Sequence, residues 1–346
     1  MPAISFLAGF LWDNLTINRI DAWSDNIILL LYLAALTGFI ILFQIDHHTP
    51  LNNRILEKYR HWLPSVIQFL FGGMFSTYVV FYFQSASLGK TLIFVAFLMA
   101  LLIANEFLGK RLASLYLLLS LYFFVTFSFF IFFIPVVTHV MNLFTYILGG
   151  AIGALLPVGV ILILDRRQIL ETGVSKKKHI GIILLLYIVF NIFYFLNIIP
   201  PVPLSLKDIG IYHHVARQDD FYLVRYIKPP WYAFYRKSDK SFSYTEGDTV
   251  FCYAAVFAPT DLTKKILHQW EFYSSAEEKW ITTDRTAYVL TGGRDDGYRG
   301  YTFKKNVQPG SWRISVLTTE DLILGSISFE ITPSGGRAVK WTECLK

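Results

Sequence analysis

The pattern of apolar and polar positions changes character once along this chain, at Pro200-Pro201-Val202-Pro203. Upstream of it apolar residues run on with few interruptions. Downstream they alternate with polar ones. Six upstream stretches, 26–45, 63–83, 91–108, 112–135, 143–164 and 179–199, come close to the roughly 20 residues, about 30 Å of helix, that a bilayer core requires. The pattern predicts six transmembrane helices. Pro64 suits a first helical turn, and Gly149-x-x-x-Gly153 suits the close approach of two helices. The three prolines remove backbone donors and fix φ near about −65°, so the sixth helix stops there and a short, stiff, extended joint follows.

From Leu206 onward the period is two. Val250, Cys252, Ala254 and Val256 alternate with Phe251, Tyr253, Ala255 and Phe257, which predicts a strand buried on both faces. Ile266, His268, Trp270 and Phe272 share one face opposite Gln269 and Glu271. Trp312, Ile314 and Val316 form another such face, and so do Ile327, Phe329 and Ile331. Between them lie the turn signals Glu246-Gly247-Asp248, Gly292-Gly293-Arg294, Asp295-Asp296-Gly297 and Pro309-Gly310. Short strands separated by turns predict an antiparallel, immunoglobulin-like β-sandwich. The expected fold is therefore an α-helical membrane bundle of six transmembrane helices plus a C-terminal all-β immunoglobulin-like sandwich. The expected boundaries are 1–199 for the bundle, 200–208 for the joint and 209–346 for the β-domain.

Composition agrees: 54% of the 346 residues are hydrophobic and only 16% charged, against about 25% charged in soluble domains. The net charge of +6 does not indicate nucleic acid, because the excess is not spread over a surface. Residues 1–199 hold twelve Lys/Arg, and ten of these sit in three alternate loops: Arg54, Lys58 and Arg60; Lys110 and Arg111; Arg166, Arg167 and Lys176-Lys177-Lys178. The opposite side holds Arg19 and Lys90. By the positive-inside rule the N-terminus and the C-terminal domain lie outside the cytoplasm. Residues 1–12 are apolar but lack a basic flank, and Asp13-Asn14 follows. They read as an interfacial or re-entrant segment rather than a cleaved leader, with Trp12 and Trp23 near headgroup level.

The region around His268-Gln269-Trp270, Trp280, Thr291-Gly292-Gly293-Arg294, Gly297-Tyr298-Arg299, Lys304, Pro309-Gly310-Ser311-Trp312-Arg313 and Phe329 resembles the C-terminal module of bacterial domain-of-unknown-function family 2914. The Pro-Pro-Val-Pro joint and Ile211-Tyr212-His213-His214 also look like its polytopic members. The resemblance implies a bacterial inner-membrane protein with a periplasmic β-domain. It implies no reaction, cofactor or ligand.

Candidate chemistry is sparse. Within the apolar stretches Gln68, Asn105 and Glu106 form a candidate intramembrane polar site, with Asn191 and Asn197 as further members of a polar route. Interhelical hydrogen bonds and a Glu106–Lys110 pair at i, i+4 account for the same residues without transport. Asp13, Asp21 and Asp25, beside Trp12, Arg19 and Trp23, lie where a lipid-linked sugar transferase places carboxylates; a solvated start to the first helix is the plainer reading. The histidines have no partners at metal-ligand spacing, and surface or interfacial placement is expected of them. No phosphate loop and no nucleophile elbow is present. No metal or cofactor is expected.

In the β-domain Trp270 and Trp312 belong to the core. Trp231, Tyr232 and Tyr235 are exposed-aromatic candidates, while Trp280, Arg294, Tyr298, Arg299, Tyr301 and Arg313 form the candidate binding surface for a glycan or an acidic partner. Cys252 and Cys344 are a candidate disulfide in an oxidising compartment. The expected role is a membrane-anchored periplasmic binding or assembly module contacting an envelope protein or polysaccharide. The alternative is a transporter or membrane glycosyl-transfer component.

Overall fold

The computed structural model describes residues 19–48, 54–87, 90–106, 114–170, 173–233, 236–334 and 340–346. The chain divides into two compact units, Met1–Pro203 and Leu204–Lys346.

The first unit is helical: α1 Trp23–His48, the short α2 Arg54–Tyr59, α3 Leu63–Ser85, α4 Thr91–Glu106, α5 Leu115–Thr138, α6 Leu143–Arg166 and α7 Gly173–Phe195. Six of these are apolar helices. Among the described residues five are long and apolar enough to cross a membrane, whereas α4 has 16. Segments 1–18 and 107–113, with Trp12, Asp13, Lys110 and Arg111, lie outside the described residues, as does the side chain of Glu106.

Local chemistry sets the helix ends. Asn142 and Thr145 form a reciprocal capping box at the start of α6, with Thr145 N–H donating to Asn142 Oδ1 at 2.9 Å and Asn142 N–H to Thr145 Oγ1 at 3.0 Å. The last helix stops at Phe195, before the prolines expected to end it. Asn197 adopts a left-handed φ of 56°, and Asn197 N–H and Ile198 N–H bond to Tyr194 O at 3.0 Å and Phe193 O at 2.9 Å. That is a Schellman closure, and Asn is one of the few residues that tolerates the left-handed position. In the other direction, α5 runs past Pro135 to Thr138 and ends at His139 with φ 55°. The expected extended joint is instead a turn in which Val202 N–H bonds to Pro200 O at 2.8 Å.

Small residues and tyrosines hold the bundle. A Cβ on Gly149 would lie 2.6 Å from Phe130 O, and one on Gly153 would lie 2.7 Å from Phe127 Cα, so α5 and α6 approach as closely as backbone allows. Thr126 Oγ1 donates across that contact to Gly153 O at 2.7 Å. Tyr78 and Tyr82 of α3 donate to Val125 O and Ser128 O of α5 at 3.0 and 2.8 Å.

The second unit is a β-domain with strands β1 Ser205–Tyr212, β2 His214–Gln218, β3 Phe221–Ile227, β4 Ser241–Tyr244, β5 Val250–Phe257, β6 Thr263–Ser274, β7 Lys279–Thr291, β8 Tyr298–Lys304, β9 Gly310–Thr318, β10 Ile323–Pro333 and β11 Trp341–Leu345. They form three sheets in the orders β1-β5-β8, β4-β10-β9-β6-β7 and β11-β3-β2. All pairings are antiparallel except β4 with β10.

A simple two-sheet sandwich would leave one face of β5 in water. Here the β1-β5-β8 sheet is packed on both faces. Val250 and Cys252 join Trp270, Trp312, Ile314, Phe329 and Ile331 of the five-stranded sheet. Tyr253 and Ala255 join Val215, Val224 and Tyr226 of the small sheet. The predicted double burial of β5 therefore holds, with one core on each side. Both core tryptophans keep their N–H satisfied, Trp312 by Gln308 O at 2.9 Å and Trp270 by Thr302 Oγ1 at 3.3 Å.

Candidate functional site

The five-stranded sheet carries on its outer face a row of groups that the alternation of β9 and β10 puts there. Trp312 and Phe329 are cross-strand partners and point into the core, so Ser311, Arg313, Ser328 and Glu330 point out. Alternation along β6, between core-facing Trp270 and Phe272, puts Glu271 on the same outer face opposite Arg313. Glu271 is buried all the same, because Arg313 grips it in two hydrogen bonds, Nε to Oε2 at 2.8 Å and Nη2 to Oε1 at 3.0 Å. Burial acts to raise the Glu271 carboxyl, but the Arg313 pairing together with hydrogen bonds from Gln269 and Ser315 holds it below the usual range. The guanidinium lies 4.5 Å from the centre of the Trp280 ring. Arg313 therefore fixes the plane of Trp280.

Beside Trp280 lies an open cleft of about 590 Å³. Its second wall is the connection from β3 to β4, which presents Lys228, Pro229, Pro230, Arg236 and Lys240. The two prolines stiffen a short turn in which Trp231 is 88% and Tyr232 65% exposed. Ser311, Ser328 and Glu330 line the floor.

Behind this wall sit two ionisable side chains, Asp239 buried and His213 half-buried. The His213 ring is stacked on Phe242 with centroids 3.8 Å apart and meets Trp341 edge-on at 4.7 Å. Its Nε2 is 3.7 Å from Asp239 Oδ2. Among the described residues neither of those two atoms has a hydrogen-bond partner. Asp239 Oδ1 accepts from Ile227 N–H at 2.9 Å. Burial pushes the Asp239 carboxyl up to about 7 and the His213 imidazole down to about 4. Asp239 lines the first cleft; His213 lines a second of about 300 Å³, with His214, Arg225 and Trp341.

The residues of the expected binding surface do not form one patch. Trp280 and Arg313 meet at the cleft. Arg294 is exposed in the turn closed by Gly297 N–H to Arg294 O at 3.0 Å. Tyr298, Arg299 and Tyr301 belong to β8 in a different sheet. Arg299 is tied down, donating to Asp220 O at 2.8 Å and Lys346 O at 3.3 Å and lying over the Phe221 ring. Tyr298 stacks against Tyr288, and Tyr301 packs against Tyr222 and Phe251. Lys228, Arg236, Asp239 and Lys240 were not foreseen, since only the fold brings their loop over the sheet. The Pro229-Pro230-Trp231-Tyr232 run between basic residues was the available signal.

Three other expectations meet specific outcomes. Cys252 and Cys344 are both free, because they face opposite cores: Cys252 packs with Trp270 and Trp312, and Cys344 with Tyr212 and Tyr253. His268 and His179, expected at surfaces, are buried. His268 bonds Thr302 at 2.9 Å and Tyr288 at 3.3 Å, and His179 stacks on Tyr116.

In the helical unit Gln68 and Asn105 bond each other's backbone: Gln68 Nε2 donates to Asn105 O at 2.9 Å and Asn105 Nδ2 to Gln68 O at 2.8 Å. They clamp α3 to α4. Asn191 bonds its own helix at Tyr187 O. Asp21 pairs with Arg19, and Asp25 accepts from Ser24 at the start of α1.

The likenesses to solved structures are faint. An immunoglobulin-like protein from Pseudomonas aeruginosa matches at 11% identity over 38% of this chain and 98% of that one, with a TM-score of 0.23. A β-glucosidase from Listeria innocua, crystallised with glucose, matches at 12% identity over 33% of this chain, with a TM-score of 0.21; the match spans only 16% of the enzyme. An alkylpurine DNA glycosylase from Pseudomonas fluorescens, bound to DNA containing an abasic site analog, matches at 10% identity over 88% of this chain and 98% of that one, with a TM-score of 0.21. No curated protein matches the chain. Residues 263–331, from the first strand residue of β6 to Ile331 of β10, match the family described as "Protein of unknown function (DUF2914)", and it is this domain that carries Trp280, Glu271 and Arg313.

Proposed function

We propose that this chain is a membrane-anchored binding or assembly module of the bacterial envelope. Its apolar helices cross the inner membrane, and the β-domain is displayed in the periplasm. There the two facing sheets around Trp270 and Trp312 act as an immunoglobulin-like sandwich with a third sheet added. The domain engages an envelope protein or polysaccharide and catalyses no reaction. The observation that carries this reading is the cleft of about 590 Å³ between the Trp280 face and the Lys228–Lys240 wall, a volume within the ~300–1,000 Å³ of ligand sites. Support for the orientation comes from the ten basic residues in alternate loops, against two on the other side. Of the residues offered for a transporter or glycosyl-transfer reading, Gln68 and Asn105 serve helix contact.

Two measurements test it. Alkaline phosphatase fused after Lys346 is expected to be active and a fusion after Lys178 inactive; the reverse pattern overturns the orientation. A photo-crosslinking side chain at position 280 of the full-length protein in cells is expected to trap an envelope component. The same group at exposed Val289 on β7 is expected to trap none, and equal capture at both positions removes the cleft as the site.

A further inference from the structure

The ligand class of the cleft follows from the chemistry of its walls, and this inference rests on the binding reading above. Lys228 and Lys240 bring two exposed cations to one wall. Facing them, the one exposed acid among the described residues of the lining is Glu330, since Asp239 is buried. The balance favours an anion. A point anion, however, would need no aromatic surface, and this site has Trp280 in its lining. Trp280 is held in a set plane by Arg313 at 4.5 Å. Trp231 and Tyr232 stand exposed directly after Pro229-Pro230, outside the cleft's own lining. Rigid presentation lowers the entropy lost when a ligand is gripped. Flat indole and phenol faces pack on the C–H face of a pyranose ring, while its carboxylates pair with Lys and Arg. The cleft is open, so a chain can lie across it.

We propose that the cleft binds an acidic polysaccharide, stacking a sugar ring on Trp280 and pairing uronate-type carboxylates with Lys228 and Lys240.

The test uses the full chain in detergent micelles and calorimetric titration with oligogalacturonate, with the neutral galactan oligosaccharide of equal length and with poly-glutamate as comparisons. Oligogalacturonate is expected to bind at least tenfold more tightly than either, and to weaken as salt is raised. Lys240→Glu, on the exposed wall, should lower its affinity at least tenfold without changing the circular dichroism. Trp280→Ala should do the same, and Lys240→Glu keeps the test readable if the tryptophan change disturbs the sheet. Arg285→Ala, a cation on β7 paired with Asp321, should change nothing.

The proposal is overturned if the folded chain ignores oligogalacturonate, if neutral and acidic oligosaccharides bind equally, or if poly-glutamate binds as well and Trp280→Ala is silent. In those three cases the crosslink at position 280 still stands or falls by itself, so the broader binding reading is judged separately.

Discussion

His213 and Asp239 show how two ionisable groups can hide each other's titration. Unfolded, the imidazole titrates near about 6.5 and the carboxyl near about 3.9. Folded, burial takes His213 down to about 4, with Asp248 opposing, and Asp239 up to about 7, with the Ile227 N–H opposing. Between pH 4 and 6.5 the folded pair thus holds one proton, on Asp239, and the unfolded pair holds one, on His213. Equal proton counts leave stability flat with pH.

Single variants break the balance in opposite directions. In Asp239→Asn, His213 remains neutral in the fold and charged when unfolded, so stability should rise from pH 4 to 6.5. In His213→Phe, Asp239 remains protonated in the fold and ionised when unfolded, so stability should fall from pH 4 to 7. Each slope is at most about 1.4 kcal/mol per pH unit. Urea midpoints of the β-domain within the full chain, at pH 4.5 and 6.5, decide it; slopes of the same sign would place the proton on another group.

At the scale of elements, α5 and α6 make a contact that tolerates little. Their backbones meet at Gly149 and Gly153 with no room for a methyl, and the Thr126 hydroxyl uses the same proximity. Gly153→Leu should push the helices apart and cost several kcal/mol of bundle stability, as overpacking does. Gly159→Leu, with open space around its Cβ position, should cost less than about 1 kcal/mol. Helix loss by circular dichroism during titration of a mild detergent with sodium dodecyl sulfate compares them, and equal midpoints would remove the close contact. The same scale explains why α7 ends where it does. Asn197 reads as one more polar residue in an apolar run, yet its work is backbone geometry, and its left-handed φ stops the helix before any proline is reached. A polar side chain inside an apolar stretch has several uses, and spacing alone does not choose among them. The same holds for Gln68 and Asn105, whose reciprocal bonds need two helices already side by side.

At the scale of the whole molecule, both thiols lie in the β-domain on opposite sides of the β1-β5-β8 sheet, Cys252 within that sheet and Cys344 on β11 against its other face. Denatured, unreduced protein should therefore label at two cysteines, Cys252 and Cys344; no labelling would mean that the sheet is arranged differently. Protection of Cys252 in the folded state should be nearly complete, since it is fully buried and its thiol is raised well above the usual value by burial. Much of this architecture was legible in the chain. Helices, strands and core tryptophans follow from periodicity, because a residue's neighbours within an element are set by 3.6 or 2 residues per repeat. Double burial of β5 was legible for the same reason, as both of its faces are apolar. That two cores rather than one lie against those faces was not, because no local pattern says how many sheets assemble. The binding surface failed likewise: Trp280 and Arg313 come together across β7, β6 and β9, while Arg299, identical in type and equally near a turn, is spent tying down the C-terminal carbonyl. Periodicity along the chain specified the helix and strand repeats and the tryptophans that fill the core, since hydrophobic burial acts residue by residue along an element. Only the tertiary structure decided which charges are paired, which thiols are apart and where a cleft opens, since those depend on distances between segments that the chain order leaves free.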